Sequence, residues 1–281
     1  MIIDGKKVAN SILEELKLKI SKLDKKPTIA VIIVGEDPAS KIYVKTKHQK
    51  AQELGMNSIV IEMPADVSQE SLLAKINELN NKQDITGILV QMPLPAHIDS
   101  YKVIEAISPL KDVDGFSYEN VAKNAMGLVP YSYSCTPKGI LRLLDEYEIK
   151  LEGQQVLIIG RSNIVGKPLS MMFLNRNATV TIAHSKTKNL QKLALESDII
   201  VAAVGVPKLV KSTWVKDGAV VIDVGINRMS DKKLVGDVDF EEIQSKASFI
   251  TPVPGGVGPM TIAMLLENTL ELFLLQEKEQ K

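Results

Sequence analysis

The sequence predicts an α/β protein with two α/β domains, the second built on a Rossmann-like doubly wound parallel sheet. Short apolar runs alternate with helical stripes along both halves of the chain, a pattern typical of βαβ units with parallel strands. A glycine-rich turn directly follows one such run, Val156 to Ile159. With 281 residues, the chain is long enough for two domains that each bury a core.

Overall composition narrows the class of protein. The chain is 45% hydrophobic, and its 34 basic residues balance 34 acidic ones. We therefore expect a small-molecule substrate and neither a nucleic-acid nor a membrane partner. The single cysteine, Cys135, fits a reducing compartment, and the N-terminus does not resemble a signal peptide. These features predict a cytoplasmic protein, and no residue pattern suggests a metal site.

The first half of the chain contains three predicted strands joined by helices. Ser40 is the expected N-cap of the second helix, which stops before Gly55. A loop rich in turn formers and acids, 108–116, follows this region. The predicted strands are 28–34, 58–61 and 87–90, and the predicted helices are 7–23, 41–54 and 68–79.

The second half begins with a helix over 137–146, for which Thr136 is the expected N-cap. The predicted strands are 156–159, 179–183, 198–203 and 219–224, with a predicted hairpin edge at 234–238. The last helix, 260 to about 276, carries an apolar stripe that we expect to pack on the first domain. The predicted domains are thus 1–136 with 260–281, and 137–259, with an active-site cleft between them.

The turn from Gly160 to Pro168 predicts a phosphate site. Free backbone N–H groups and the positive end of a helix dipole meet where a strand passes through glycine into a helix. Ser162 occupies the place of the second glycine in the usual dinucleotide fingerprint, so an ordinary βα turn explains this motif alone equally well. The next strand ends in His184-Ser-Lys-Thr187, which contains no acid for a ribose diol. Hydroxyl and basic residues there favour the 2′-phosphate of NADP.

Candidate catalytic residues cluster at the expected carboxyl ends of the first strands, where α/β sheets bind ligands. Tyr43 and Lys47 are four residues apart and share a helix face. Gln91 follows the strand 87–90, so it should meet Lys47. Each residue also has a structural explanation: Lys47 as a solvated charge, Tyr43 as a packing residue, and Asp114 and Gln91 as loop formers.

Six motifs occur in an order that resembles one known family. They are Asp37-Pro-Ala-Ser40-x-x-Tyr43-Val-x-x-Lys47, Gln91-Met-Pro-Leu-Pro95, Lys111-Asp-Val-Asp114-Gly115, Cys135-Thr-Pro-Lys-Gly139, Gly160-Arg-Ser-x-x-Val-Gly166-x-Pro168 and Pro252-Val-Pro-Gly-Gly-Val-Gly-Pro-Met-Thr261. Over nearly the whole chain they resemble the bifunctional methylenetetrahydrofolate dehydrogenase/methenyltetrahydrofolate cyclohydrolase family. One departure is Ser134, where we expect proline in many members.

The resemblance implies two consecutive reactions in one-carbon metabolism. The first is NADP-dependent oxidation of 5,10-methylenetetrahydrofolate to the 5,10-methenyl form, and the second is hydrolysis of that product to 10-formyltetrahydrofolate, which purine biosynthesis uses. By similarity Lys47 is the proton shuttle, because burial and a cationic substrate both disfavour a charged amine. Tyr43 would contact the folate, Gln91 would orient Lys47, and Asp114 would accept hydrogen bonds from the pterin.

The remaining site predictions concern the cofactor and the folate cleft. Arg161 and Ser185, with Lys186 as a further candidate, would bind the 2′-phosphate, because the arginine fork matches phosphate oxygens. The other expected cofactor residues are Gly160, Ser162, Val165, Gly166, Gly205 and Ile226. The other expected folate residues are Gly255, Gly256, Pro259 and Thr261. No role is predicted for His184 or Cys135.

Two other functions and the oligomeric state complete the predictions. A nucleotide-binding scaffold that has lost its chemistry would not need both Lys47 and Gln91. A dehydrogenase of a ring alcohol would not need the pair Tyr43 and Lys47. We expect a homodimer, because two-fold dimers are common and a hairpin edge near 234–238 suits one.

Overall fold

The computed structural model describes residues 1–279 and divides into two compact units. We call them by their sheets. The three-stranded unit contains residues 11–123, 129–133 and 265–279, and the five-stranded unit contains residues 1–10, 124–128 and 134–264. The predicted α/β class with parallel sheets is confirmed.

The N-terminal residues belong to the five-stranded unit, whereas the sequence placed them with the first domain. The N–H group of Ile3 donates to the carbonyl of Ile250 at 2.8 Å, and the N–H group of Ile250 donates to Met1 at 3.0 Å. The N–H group of Lys6 donates to the carbonyl of Gly255 at 2.9 Å. These backbone bonds pair the N-terminus with residues some 250 positions later, a pairing that no local pattern encodes.

The sheet of the three-stranded unit is parallel, in the order β2-β1-β3. Its strands are β1 (Thr28–Val34), β2 (Asn57–Met63) and β3 (Gly87–Val90). All residues of β1 and β3 are buried, which explains their continuous apolar sequences. The edge strand β2 has no buried residue.

Five helices from the first half of the chain lie wholly or mostly in this unit. They are α1 (Gly5–Ser21), α2 (Pro38–Glu53), α3 (Gln69–Asn80), α4 (Ser100–Ala106) and α5 (Tyr118–Ala125). The N-cap of α2 is Asp37 and not the predicted Ser40, because a carboxylate oxygen of Asp37 accepts the N–H group of Ser40 at 2.7 Å. Pro38 suits the first helical position, so the helix begins before Ser40.

The sheet of the five-stranded unit is also parallel, in the order β10-β7-β6-β4-β5. Its strands are β4 (Gln155–Ile159), β5 (Thr179–Ala183), β6 (Ile199–Ala202), β7 (Val220–Asp223) and β10 (Phe249–Ile250). An antiparallel hairpin pairs β8 (Asn227–Arg228) with β9 (Leu234–Val235). The strand order reverses between β4 and β6, a topological switch point where dinucleotides bind.

The helices of this unit include α6 (Cys135–Glu146), α7 (Gly166–Leu174), α8 (Leu190–Glu196) and α9 (Phe240–Ile243). The N-cap position of α6 is Ser134, so the prediction of Thr136 is wrong. Proline is tolerated anywhere in a first turn, where N–H groups have no helical acceptor, so Pro137 did not mark the start. The Thr136 hydroxyl instead bonds that of Thr261 at 3.0 Å.

The last helix, α10 (Val257–Glu279), is longer than predicted and begins before Pro259 for the same reason. Judged only by length and composition, it is the one helix within residues 1–279 that could cross a membrane. However, 61% of its most apolar window is buried inside the protein. Its apolar residues therefore serve the core, as in many buried helices.

Candidate active site

Lys47 and Gln91 form a hydrogen-bonded pair at the carboxyl end of β3. Lys47 lies on α2, and its Nζ donates to Oε1 of Gln91 at 3.0 Å. The amide nitrogen of Gln91 donates to the carbonyl of Met92 at 2.7 Å, which directs the amide oxygen toward the lysine. Both side chains are half-buried. The predicted meeting of these two residues is thus present, and the lysine is not a freely solvated charge.

Tyr43 lies one helical turn before Lys47 on the same face of α2. Its side chain is 46% exposed, so one part of the ring is not covered by the protein. An exposed ring beside a held amine is available to stack on a planar ligand.

Asp114 lies in the loop after a 3-10 turn at Pro109–Lys111 and is half-buried. Burial raises the pKa of its carboxyl to about 6, while Lys47 lowers that pKa and the neighbouring Asp112 raises it. Asp114 and Lys47 therefore interact electrostatically, and the structure brings the four predicted catalytic residues into one part of the three-stranded unit.

Asp112 holds the loop that carries Asp114, a role that the sequence reasoning missed. Its carboxylate accepts the N–H groups of Gly115 and Ser117 at 2.9 and 2.7 Å, and the amide of Asn120 at 3.0 Å. Burial raises the pKa of Asp112, and these donors oppose the rise. The acidic loop motif was the available signal, but it does not show which acid faces inward.

Asn268 holds the same loop from α10. Its side-chain amide donates to the carbonyls of Val113 and Tyr133 at 2.9 and 2.8 Å, and the residue is fully buried. Asn268 was not among the predicted site residues. A polar residue on the buried face of a helix was the signal, since buried amides require partners.

The turn from Gly160 to Pro168, which we call the phosphate loop after its predicted ligand, depends on two glycines. Gly160 has φ +129°, and a Cβ there would overlap the carbonyl of Ala203 after β6. A Cβ at Gly166 would overlap the carbonyl of Gly160. Ser162, in the place of the missing glycine, accepts the N–H group of Val165 at 3.1 Å and so closes the turn. The departure from the usual fingerprint therefore leaves the loop tight at the switch point.

Ser134, the one departure from the family pattern, has a defined contact. Its hydroxyl donates to the carbonyl of Ile164 at 2.7 Å. This bond ties the start of α6 to the phosphate loop.

Arg161 and Ser185 are exposed where two neighbouring strands end. β4 and β5 pair in register, with Ile159 opposite Ala183, so both side chains leave the sheet at the same edge. The N–H group of His184 donates to the Thr187 hydroxyl at 2.9 Å within a turn. An exposed arginine and hydroxyl beside a glycine-tight helix N-terminus fit a dinucleotide with a 2′-phosphate.

A cavity of about 190 Å³ lies at the carboxyl end of β7. It is lined by the predicted cofactor residue Ile226 together with the predicted folate residues Gly255, Gly256 and Pro259. Thr261 is not among its lining residues and instead bonds Thr136. Three of the four predicted folate residues therefore line the same cavity as a predicted cofactor residue.

Two family models cover most of the chain. Residues 3–114 match the catalytic domain of the tetrahydrofolate dehydrogenase/cyclohydrolase family, and residues 134–277 match its NAD(P)-binding domain. The chain belongs to this family. A member from Geobacter sulfurreducens, bifunctional protein FolD 2, is 53% identical over 273 residues, covering 96% of this chain and 95% of the relative.

Solved structures of the family have the same fold. The bifunctional dehydrogenase/cyclohydrolase of Campylobacter jejuni is 47% identical with a TM-score of 0.95, covering 100% of this chain and 99% of that one. The Trypanosoma brucei enzyme, complexed with NADP and an inhibitor, is 37% identical with a TM-score of 0.96, covering 99% and 98%.

Family membership confirms the resemblance and the predicted enzyme class. The protein is a bifunctional enzyme of tetrahydrofolate one-carbon chemistry with an NADP-binding domain. The sequence also left open a nucleotide-binding scaffold and a dehydrogenase of a ring alcohol. The two family models support neither of these functions. The roles of individual site residues stay predictions.

Proposed function

We propose that Lys47 performs the proton transfers by which this enzyme converts 5,10-methylenetetrahydrofolate, through the methenyl form, to 10-formyltetrahydrofolate. The observation that carries the proposal is the half-buried Lys47 amine, held 3.0 Å from Gln91 Oε1 and in electrostatic contact with Asp114. General acid–base catalysis requires such a positioned group.

The first step removes a hydride from the one-carbon bridge. Bound NADP supplies the hydride acceptor. The lone pairs of the folate nitrogens stabilise the resulting methenyl cation, so the side chains only need to align the folate. Tyr43 stacks on the folate, and Asp114 accepts hydrogen bonds from the pterin amino and ring N–H groups.

The second step adds water to the methenyl carbon and breaks its bond to N5. Lys47 Nζ accepts a proton from the attacking water and then donates it to N5 as the ring opens. The second proton of the water leaves to solvent, so cation and water become 10-formyltetrahydrofolate and one proton. Gln91 keeps the amine on this path through its oriented amide oxygen.

The cofactor contacts are proposed in the five-stranded unit. Arg161 and Ser185 bind the 2′-phosphate, while the turn Gly160–Gly166, including Ser162 and Val165, presents N–H groups to the pyrophosphate. Gly205 and Ile226 would be further contacts of the cofactor. Gly255, Gly256, Pro259 and Thr261 are proposed to contact the folate.

We test the proposal with Lys47→Met. The enzyme's methenyl product absorbs light, so formation with NADP and hydrolysis are followed separately. We expect hydrolysis to fall by about 10² to 10⁴, the usual contribution of a general acid–base. Lys45→Met is the control, because Lys45 is exposed and two residues away on α2, facing another direction. If Lys47→Met retains both activities, the proposed mechanism is wrong.

We also propose a cytoplasmic homodimer that acts on folate alone, without nucleic-acid or membrane partners. The support is the balanced charge, the buried lone Cys135 and the two-stranded hairpin edge with its exposed Met229. A sedimentation mass of one chain, 30.8 kDa, would contradict the dimer.

A further inference from the structure

Two buried carboxylates, Asp223 and Asp237, lie beneath the proposed cofactor loops and have no assigned role. Asp223 ends β7 and is 2% exposed, and Asp237 follows β9 and is 0% exposed. Buried acids are costly unless donors surround them, so their partners show what the acids hold in place.

Asp237 joins the loops that follow two neighbouring strands. One carboxylate oxygen accepts the N–H groups of Val204 and Gly205 at 2.7 and 2.9 Å, in the loop after β6. The other accepts the side-chain amide of Asn227 at 2.9 Å, in the segment after β7. One side chain therefore sets the spacing of these two loops.

Asp223 fixes Asp237 in turn. One oxygen of Asp223 accepts the N–H groups of Gly225 and Asp237 at 3.0 and 2.9 Å. The other oxygen accepts the N–H group of Val238 at 2.9 Å. Both ends of the segment 225–238, which contains the hairpin, are thus bound to the pair of acids.

Two glycines make room for the carboxylates in a reciprocal way. A Cβ at Gly225 would overlap the carboxylate of Asp237, and a Cβ at Gly236 would overlap that of Asp223. Burial, with Asp237 adding to it, raises the pKa of Asp223 to about 7. Burying two neighbouring acids is costly, so packing alone does not explain the arrangement.

We propose that Asp223 and Asp237 are positioning residues for the dehydrogenase step. They hold Gly205 and Ile226 at the spacing that NADP requires, through their bonds to the two loops. Asp237 carries the bond to both loops, and Asp223 keeps Asp237 in place. The proposal rests on the proposed cofactor site and concerns only the five-stranded unit.

Asp237→Asn tests this role. The amide oxygen can still accept from Val204 and Gly205, but the amide nitrogen then faces the donating amide of Asn227. We expect the NADP dissociation constant, measured by calorimetry without folate, and the KM for NADP to rise about tenfold. Hydrolysis of added methenyltetrahydrofolate should stay within about twofold, because it consumes no cofactor.

Asn227→Asp on the Asp237→Asn background restores an acceptor opposite the new amide. We expect this double variant to recover most of the NADP affinity. Asp231→Asn is the charge control, since Asp231 is exposed in the same hairpin connection, and it should behave as wild type.

Three results would overturn the inference. They are unchanged NADP binding in Asp237→Asn, an equal fall of both activities, and no recovery in the double variant. If Asp237→Asn does not fold, Asn227→Ala removes one bond from a half-buried position, and unchanged NADP binding in that variant refutes the proposal. Because calorimetry needs no turnover, failure of the proposed proton-transfer mechanism would leave this test intact.

Discussion

Asp114 illustrates at the residue scale how burial prepares a carboxyl for ligand binding. Its ordinary water contacts are partly lost, which raises the pKa to about 6, and the Lys47 charge limits the rise. Above that pH the carboxylate accepts hydrogen bonds from the pterin, and below it the protonated acid does so poorly.

We therefore expect kcat/KM for methylenetetrahydrofolate to fall as pH drops below about 6, by about tenfold for each pH unit. The measurement is the dehydrogenase rate between pH 5 and pH 8 with saturating NADP. Asp114→Asn should have a low kcat/KM that does not fall further below pH 6. Asp66→Asn, which changes an exposed acid, should keep the wild-type profile, and an unchanged profile in Asp114→Asn would remove Asp114 from this role.

The same raised pKa carries a stability cost of known sign. A carboxyl whose pKa is higher in the folded chain than in the unfolded chain favours folding when it is protonated. Ionisation of Asp114 therefore lowers the free energy of unfolding as pH rises from about 4 through 6. The Asp114 charge that is proposed to bind the pterin therefore lowers the stability of the folded chain.

Arg161 is the residue-scale test of cofactor choice. It is exposed beside the phosphate loop, where a guanidinium binds a phosphate bidentately. We expect Arg161→Ala to raise the KM for NADP by about 10 to 100-fold and to leave the KM for NAD nearly unchanged. Arg176→Ala is the control, because Arg176 forms a surface ion pair with Asp145. Equal losses for both cofactors would place the 2′-phosphate elsewhere.

At the element scale, α10 combines a core function with a site function. Its apolar residues fill the interior, while Asn268 reaches the carbonyls of Val113 and Tyr133. Val113 directly precedes Asp114, so a helix near the C-terminus sets the position of a loop more than 150 residues earlier.

We expect Asn268→Leu to lower the free energy of unfolding by about 2 to 4 kcal/mol, because the carbonyls of Val113 and Tyr133 each lose a donor. The KM for the folate should rise more than the KM for NADP. Denaturant melts and steady-state kinetics measure the two effects. Thr269→Val is the matched control, since the hydroxyl of buried Thr269 donates to the carbonyl of Leu265 in its own helix. Equal changes in both KM values would show a general loss of structure.

At the scale of the whole molecule, we propose that the two activities depend on different groups. Lys47 and Gln91 belong to the three-stranded unit, and the phosphate loop and the Asp223–Asp237 pair belong to the five-stranded unit. The proposed variants should therefore separate the activities, since Lys47→Met affects hydrolysis and Asp237→Asn affects NADP. In each variant, the activity that is expected to stay unchanged thus serves as the control for the activity that is expected to fall.

Much of this organisation could be predicted from the sequence, because it is encoded locally. Apolar runs located β1 and β3 at their observed bounds, and the strand predicted over 179–183 has the bounds of β5. Helical spacing placed Tyr43 beside Lys47, and six ordered motifs identified the family. Each of these signals is contained within a few consecutive residues, where periodicity and turn chemistry act directly.

The tertiary structure alone decided which polar groups meet. Asn268, Asp223 and Asp237 were not among the predicted site residues, yet each binds backbone groups of segments that the fold brings together. The helix starts at Asp37 and Ser134 also differed from the sequence predictions. The physical reason is that a buried polar atom must find a partner wherever the fold provides one, and that partner is far away in the chain.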